Sequence, residues 1–126
     1  MIINQSFLWN KQSFCYKLED EWIWDINSYW ELDLFIINTI KKDIYESNFK
    51  LISDIHYVNI TIQKYFFCHL NNNDVYSIEN ISDELIQEFY DRFSHLMRIF
   101  WKKIDYKEWE LFFLENPLYF EYISSN

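Results

Sequence analysis

The chain has 126 residues, half of them hydrophobic and 22% aromatic, with 20 acidic against 11 basic residues and a formal net charge of -9. This length fits one compact domain, and the apolar content is high enough to exclude a disordered chain despite the charge. Because phosphate binding depends on Lys and Arg displacing counterions, the acidity argues against nucleic acid and anionic lipid as partners. We therefore expect a single domain over residues 1–126 that attracts basic partners.

The first nine residues, MIINQSFLW, have neither the basic start nor the long apolar core of an export signal. No run approaches the roughly 20 apolar residues of a membrane span. We therefore expect a cytoplasmic protein with no membrane partner. Cys15 and Cys68 lack a metal-binding spacing, and in a reducing compartment we expect both to be free, buried thiols.

The stretch KLEDEWIWDINSYWELD, residues 17–33, holds six acids and three tryptophans and has no base after its first residue. Around residues 13–24 the apolar side chains alternate as in a strand, but they also fit one face of a helix. We favour an extended segment for the acidic part, because Glu21 and Asp25 would repel each other across one helical turn. Helix or strand stays open for residues 13–24.

The first strong helix signal is SYWELDLFIINTIKKDIYES, residues 28–47. Ser28 and Glu31 have the spacing of a capping box, in which each side chain bonds a backbone amide of the other. Apolar residues follow at three-four spacing, and Lys41 and Lys42 come late, where cations suit the helix dipole.

Residues 56–67, HYVNITIQKYFF, are rich in β-branched side chains and alternate like a strand, yet they also continue a helical stripe. The sequence NNND at 71–74 predicts a turn, since the chain has no glycine and Asn tolerates the left-handed region. We predict a mainly α, compact, single-domain helical bundle. The alternative is an α+β form with a short antiparallel hairpin near residues 55–80.

Two further helices are predicted, one over residues 82–105 with Ser82 or Asp83 as its cap, and a shorter one over 106–116 that stops near Pro117. The first has acids at its start and bases at its end, which matches the helix dipole. We interpret the basic cluster at residues 92–107 as a solvated helix end and not as a nucleic-acid site. The cluster comprises Arg92, Arg98, Lys102, Lys103 and Lys107.

No catalytic motif names a reaction. A chain without glycine cannot form a P-loop, a dinucleotide-binding loop or a GxSxG elbow. His95 shares a helical face with Asp91 and Glu88, as a general base and its orienting carboxylate would, but a solvated face with a local ion pair is the favoured interpretation. We therefore predict no enzymatic activity, no catalytic residues, no metal site and no cofactor.

The negative charge is concentrated in two segments, residues 18–40 and 65–91, each with six acids and no base. Folding does not need such segments, because their self-repulsion is slightly unfavourable. Aromatic residues are the usual anchors of protein interfaces. We predict that both segments fold onto one anionic patch that holds a basic protein. The candidates are Glu19, Asp20, Glu21 and Asp25 for steering, Trp24 as an aromatic anchor, and Asp83, Glu84, Glu88 and Asp91 from the second segment.

In a short, acidic chain without an export signal, the aromatic-rich acidic segments LEDEWIWD and ISDELIQEFYDRF resemble those of bacterial immunity proteins. These are the partners of colicin-type and contact-dependent growth-inhibition toxins. The resemblance implies a cytoplasmic inhibitor that covers the active site or substrate groove of a basic toxin, typically a nuclease, in a tight 1:1 complex. It implies no particular fold. The alternative is another acidic protein-binding module, such as a phage inhibitor of host defence or a secretion chaperone.

Overall fold

The computed structural model describes residues 8–42, 48–102 and 109–119. These ranges contain helices and connecting segments but no β-strand, which confirms the mainly α fold and makes the hairpin alternative wrong. The elements are α1 (Phe14–Tyr16, continued by a π-helical stretch at Lys17–Glu21), α2 (Ile26–Lys42), α3 (Phe49–Leu70), α4 (Asp83–Lys102) and α5 (Glu110–Phe113).

Helices α3 and α4 are antiparallel neighbours. The rings of Phe66 and Tyr90 stack with centroids 3.8 Å apart, and those of His56 and Trp101 lie 6.0 Å apart. The earlier residue of α3, His56, contacts the later residue of α4, Trp101, so the two helices run in opposite directions. Helix α2 packs on another side of α4, and the buried apolar side chains of all these elements form a single core cluster.

The segment expected to be ambiguous is one long helix. Its buried side chains recur with helical spacing. The β-branched residues would also fit a strand, but strand propensity depends on packing, and here packing favours the helix. Asn48 begins α3 by accepting a hydrogen bond from the Leu51 amide. The turn predicted at residues 71–74, after the end of α3, is confirmed, because the Asp74 amide donates to the Asn71 carbonyl at 3.0 Å. The buried stripe of α3 is Leu51, Ile55, Val58, Ile62 and Phe66.

The expected extended conformation is wrong for residues 17–21, which are helical. Between these residues and α2, only residues 22–25 are non-helical. The helix ends because Trp22 adopts left-handed backbone angles, φ 58° and ψ 36°, while its amide donates to the Lys17 carbonyl. Glycine normally fills this position, since a side chain there crowds the backbone. In a chain without glycine, a tryptophan accepts that strain.

We expect Trp22→Gly to be more stable than Trp22→Ala by about 1 kcal/mol, the cost of a Cβ atom in the left-handed region. Both variants remove the ring, so their difference isolates the backbone. At an ordinary helical position glycine would instead be the less stable of the two by roughly 0.5–1 kcal/mol. Urea unfolding of the two variants provides the measurement, and an alanine variant equal to or more stable than the glycine variant would contradict the assignment.

Helix α2 begins two residues earlier than predicted, and Asp25, not the Ser28 and Glu31 box, caps it. The Ser28 amide donates to Asp25 Oδ2 at 3.0 Å, and the Ser28 hydroxyl donates to the Asp25 carbonyl at 3.2 Å. Lys17 Nζ also donates to Asp25 Oδ2, at 3.1 Å. The capping box was wrong because a carboxylate three residues upstream was the better acceptor. The last predicted residues, 43–47, lie outside the described part.

Replacing Asp25 with alanine is expected to lower the free energy of unfolding by about 1 kcal/mol at neutral pH. Burial opposes its ionisation, but hydrogen bonds from Ser28 and the nearby Lys17 ammonium outweigh burial and lower the pKa of Asp25 below 3.8. Stability from this cap is therefore present above the unfolded pKa and is lost as the pH falls through the folded pKa.

The measurement is urea unfolding of wild type and variant at neutral pH and near pH 2, where we expect the difference to shrink. Asp25→Asn is the matched control, because it keeps a neutral acceptor and removes the titration. An alanine variant with the same deficit at both pH values would contradict the capping role.

Helix α4 starts as predicted, and of the two proposed caps Ser82 fills the role, since its hydroxyl accepts from the Leu85 amide at 3.2 Å. Residues 103–108 lie outside the described part, so the boundary that we predicted between residues 105 and 106 is not described. Helix α5 ends before the predicted residue 116. The amides of Glu115 and Asn116 bond carbonyls three residues back, which tightens the final turns ahead of Pro117.

Both cysteines are free, as predicted. Cys15 is buried, and burial first, then the charge of Glu19, raises the pKa of its thiol to about 12. Cys68 is only half-buried, so the prediction of burial is wrong for this residue.

Candidate partner-binding surface

Glu19, Asp20 and Glu21 are exposed on the π-helical turn that follows α1. Tyr65 on α3 donates from its hydroxyl to Glu19 Oε1 at 3.0 Å, which fixes this turn against α3. Directly after the acids, Trp22 keeps 40% of its surface in solvent. Three carboxylates and an accessible indole therefore occupy adjacent positions, which joins steering charge with an aromatic contact.

Burial and the negative charge of this turn raise the pKa of two tyrosines beside it. The pKa of Tyr65 is raised to about 12, first by burial and then by its hydrogen bond to Glu19. The pKa of Tyr16 is also raised, by burial and then by Asp20. Lys64 Nζ is a nearby cation, 5.2 Å from the Tyr65 ring centroid. Lys17, the cation of this turn, is paired with Asp25, so the three acids keep most of their negative charge.

The four acidic candidates of the second segment are exposed on the first half of α4. Asp83 leaves 84% of its side chain in solvent even though its Oδ1 lies 2.8 Å from His69 Nε2. Asp91 accepts a hydrogen bond from Gln87 at 2.9 Å, a neutral contact that leaves its charge in place.

Helix α3 brings the two segments together. Tyr65 bonds Glu19 of the first segment, and His69 contacts Asp83 of the second. Tyr65 and His69 are four residues apart on one face of a helix, where neighbouring Cβ atoms are about 5–6 Å apart. The two acid-only segments thus attach to α3 one turn apart and share one end of the molecule.

The loop between α3 and α4 strengthens this junction. Asn80 accepts from the Trp24 amide and donates to the Trp24 carbonyl, both at 2.9 Å. The Ile78 amide donates to His69 Nδ1 at 3.0 Å. Because an amide can only donate, Nδ1 carries no hydrogen, and the neutral ring therefore donates from Nε2 to Asp83. Glu79 lies between Ile78 and Asn80 and is exposed. It adds an acid that was not among the predicted candidates.

Trp24, the predicted aromatic anchor, is not at the surface. It is fully buried, and its ring packs edge-on to Phe14 with centroids 4.7 Å apart. Trp22 occupies the exposed position instead and packs on Tyr76 with ring centroids 5.0 Å apart. The left-handed turn at Trp22 separates these two tryptophans, so that one is exposed and the other is buried.

Other candidates contribute less to the junction than predicted. Asp25 serves as a helix cap paired with Lys17, so its charge is compensated within the molecule. Glu88 and Asp91 lie about one and two turns beyond Glu84 along α4. We define the anionic patch by the acids at the junction, Glu19, Asp20, Glu21, Glu79, Asp83 and Glu84, with Trp22 beside them.

A buried ion pair that we did not predict from the sequence joins α2 and α4. Asp33 of α2 is fully buried and accepts two hydrogen bonds from Arg92 of α4, at 2.9 and 3.0 Å. Arg92 was assigned to a solvated basic cluster, but only 9% of it is exposed. Arg98 of that cluster is exposed as expected. The available signal was the position of Arg92 between Phe89 and Phe93, inside the apolar stripe of its helix.

The ion pair is the centre of a larger polar network. Asp33 also accepts from the Tyr29 hydroxyl and from the Asn116 side-chain amide, each at 2.9 Å. Arg92 donates further to the Phe112 carbonyl at 2.9 Å and to Glu115 at 3.0 Å. The network joins α2, α4 and the segment after α5, and each charge in it has several partners, as a buried charge requires.

Two members of the acid–base trio that we considered on α4 but did not favour, His95 and Asp91, contact other residues. The His95 ring lies 4.8 Å from the Trp109 ring and 4.9 Å from the Phe112 ring, while Asp91 bonds Gln87. A cavity beside Ser13 and Cys15 has a volume of only about 10 Å³, close to the space of one water molecule. That cavity is too small for a substrate.

In the described part of the chain, no three His, Cys, Asp or Glu side chains are grouped so that they could hold a metal ion. None of the helices there has both the length and the apolar character needed to cross a membrane. Comparison of the chain with protein-family models, with curated proteins and with solved structures gave no significant match in any of the three.

Proposed function

We propose that this protein is an immunity protein that acts in the cytoplasm and neutralises a basic toxin, with a nuclease domain as the target. It binds the toxin 1:1 through the anionic patch and covers the active site or substrate groove. The observation that carries the proposal is the attachment of Glu19 and Asp83 one turn apart on α3, which gathers two acid-only segments at one end of the molecule.

Electrostatics supports this function. A nuclease groove is lined with Lys and Arg that bind phosphates, and clustered carboxylates are complementary to it. Such a patch accelerates association with a cationic partner, an effect that salt screens over about 8 Å at physiological ionic strength.

The surface beside the acids supports it further. Trp22 presents a partly exposed indole held on the Tyr76 ring. Tryptophan is among the residues that contribute most to protein interfaces. A strained backbone at an exposed residue is also a feature that accumulates at binding sites. We assign the steering role to the acids and the anchoring role to Trp22.

The competing proposal is a different acidic binding module, such as a phage inhibitor of host defence or a secretion chaperone. The same anionic patch serves either role. The two proposals differ in the partner: an immunity protein binds a toxin encoded beside it, whereas the other modules bind proteins encoded elsewhere.

The test is to express the candidate toxin domain from the neighbouring gene with and without this protein. We expect the domain alone to arrest growth and the pair to restore it, with a stable complex whose association rate falls steeply with salt. Growth arrest that persists when both are made, together with the absence of a complex, would refute the proposal.

A further inference from the structure

His69, near the end of α3, forms contacts through both of its ring nitrogens. Nδ1 accepts from the Ile78 amide at 3.0 Å, and Nε2 lies 2.8 Å from Asp83 Oδ1. Only 8% of the His69 side chain is exposed, whereas Asp83 leaves 84% of its side chain in solvent. The ring therefore links α3 to the loop of residues 71–82 through one nitrogen and to the start of α4 through the other.

The contact with Ile78 requires the neutral ring. A backbone amide is able to donate but not to accept, and both nitrogens of a protonated imidazole are donors. A protonated His69 therefore presents an N–H group to the N–H group of Ile78. Because the ring is largely shielded from water, this leaves the amide without its acceptor in a place where an unpaired polar group is unfavourable.

The contact with Asp83 persists in both charge states. Nε2 donates to this carboxylate from the neutral ring, and protonation turns the same hydrogen bond into an ion pair. Because Asp83 is exposed, water and salt weaken that ion pair. When Nδ1 takes up a proton, the ring thus keeps Asp83 and loses Ile78.

The elements around the ring carry mostly acids. These acids are Asp83 and Glu84 at the start of α4, Asp74 and Glu79 in the loop, and Glu19, which is bonded to Tyr65 one turn before His69. Residues 65–91 contain no Lys or Arg, and the base that precedes them on α3 is Lys64. Carboxylates near a histidine favour its protonated form.

The other titratable groups of this region stay neutral near neutral pH. They are Tyr65, Cys68 and Tyr76, and burial is the main cause that raises the pKa of each above its ordinary value. Histidine is the side chain whose charge ordinarily changes between about pH 5 and 8. His69 is the one histidine in residues 64–91.

We propose that His69 is a pH-sensitive switch, which holds the loop of residues 71–82 while its ring is neutral and releases the loop at Ile78 when the ring is protonated. The Tyr76 and Ile78 side chains are buried in the core, so the release is local and the fold persists. The loop carries Glu79 of the anionic patch and Asn80, which bonds the Trp24 backbone. Acid therefore loosens the junction of the two acidic segments. Any consequence for a bound partner rests on the proposed function.

The test is an NMR titration of the free protein from about pH 8 to pH 5. We expect the Ile78 amide resonance to shift with the same midpoint as the His69 ring resonances. We also expect the protection factor of this amide, its exchange rate relative to an unfolded chain at the same pH, to fall about tenfold. A ring that stays neutral down to pH 5, or a ring that is protonated without a response at Ile78, would overturn the proposal.

His69→Asn separates the switch from a general effect of acid. The asparagine oxygen takes the position of Nδ1 and accepts at every pH in this interval, so the Ile78 amide is expected to lose its pH response. His56→Asn is the matched control and is expected to keep that response, because His56 is exposed and contacts Trp101 far from the loop. A response that persists in His69→Asn would contradict the switch. All these measurements are made without a partner, so their outcome is independent of whether the protein binds a toxin.

Discussion

Replacing Arg92 with alanine is expected to lower the free energy of unfolding by about 3–5 kcal/mol, because it leaves the Asp33 carboxylate buried without its cation. Asp33 is fully buried and receives two of its hydrogen bonds from Arg92. The guanidinium also lies 4.2 Å from the Phe112 ring centroid, so the variant loses packing between α4 and α5 as well. Urea unfolding followed by circular dichroism measures the loss.

The control is Arg98→Ala on the same helix, where the side chain is exposed and the expected change is within about 0.5 kcal/mol. The double variant Arg92→Met with Asp33→Asn is expected to recover much of the loss. It removes both charges, and the single side-chain oxygen of asparagine still accepts from Asn116 while its NH2 group is able to donate to the Tyr29 hydroxyl oxygen. If the double variant is less stable than Arg92→Ala, the unpaired charge is not the cause.

Reversing the charge of Asp20 and Glu21 to lysine is expected to weaken toxin binding by about 2–5 kcal/mol if these acids face desolvated bases. If they lie at the rim of the interface, mainly the association rate and its salt dependence fall. Asp20 is hydrogen-bonded to Tyr16 one turn earlier, whereas Glu19 bonds Tyr65 on α3, so substituting Asp20 and Glu21 keeps the contact between this turn and α3. Surface plasmon resonance at several salt concentrations separates the two rates.

The matched control for this prediction is Glu31→Lys compared with Glu21→Lys. Both glutamates are exposed, and both substitutions change the charge equally, but Glu31 lies on α2 and is not among the acids that define the anionic patch. Only the Glu21 substitution is expected to slow association markedly. Equal effects of the two would mean that net charge, and not the patch, governs binding.

The tryptophans provide a second comparison in the same assay. Trp22→Ala is expected to weaken binding while the fold persists, because Trp22 is exposed. Trp24→Phe is expected to leave binding unchanged, since Trp24 is buried and its indole Nε1 finds no hydrogen-bond partner among the described residues. A loss of affinity in Trp24→Phe without a loss in Trp22→Ala would place the anchor elsewhere.

Much of the fold was predictable because helical periodicity is a local property. The apolar spacing of α2 and α4 and the acids at the start of α4 predicted both helices to within two residues at their described starts. The turn at residues 71–74 followed from Asn replacing glycine. For α3, composition favoured a strand and spacing favoured a helix, and only burial of one stripe decided between them.

The candidate binding surface was predictable in part. Exposure of Glu19, Asp20, Glu21 and the acids of α4 followed from their charge, because isolated carboxylates stay in water. The roles of Asp25 and Trp24 did not follow, since an acid before a helix and a tryptophan beside acids each have several possible environments. The left-handed turn at Trp22 decided which of two neighbouring tryptophans faces solvent.

By itself, the sequence determined a mainly helical domain, its strong acidity and the confinement of that acidity to two segments. Only the tertiary structure decided that Glu19 and Asp83 attach to α3 one turn apart, that Trp24 is held by Asn80, and that Asp33 is paired with Arg92. In the last two pairs, the partners are separated by 56 and 59 positions in the sequence. Helix propensity and charge act between near neighbours in the chain, whereas burial and ion pairing depend on which distant surfaces meet.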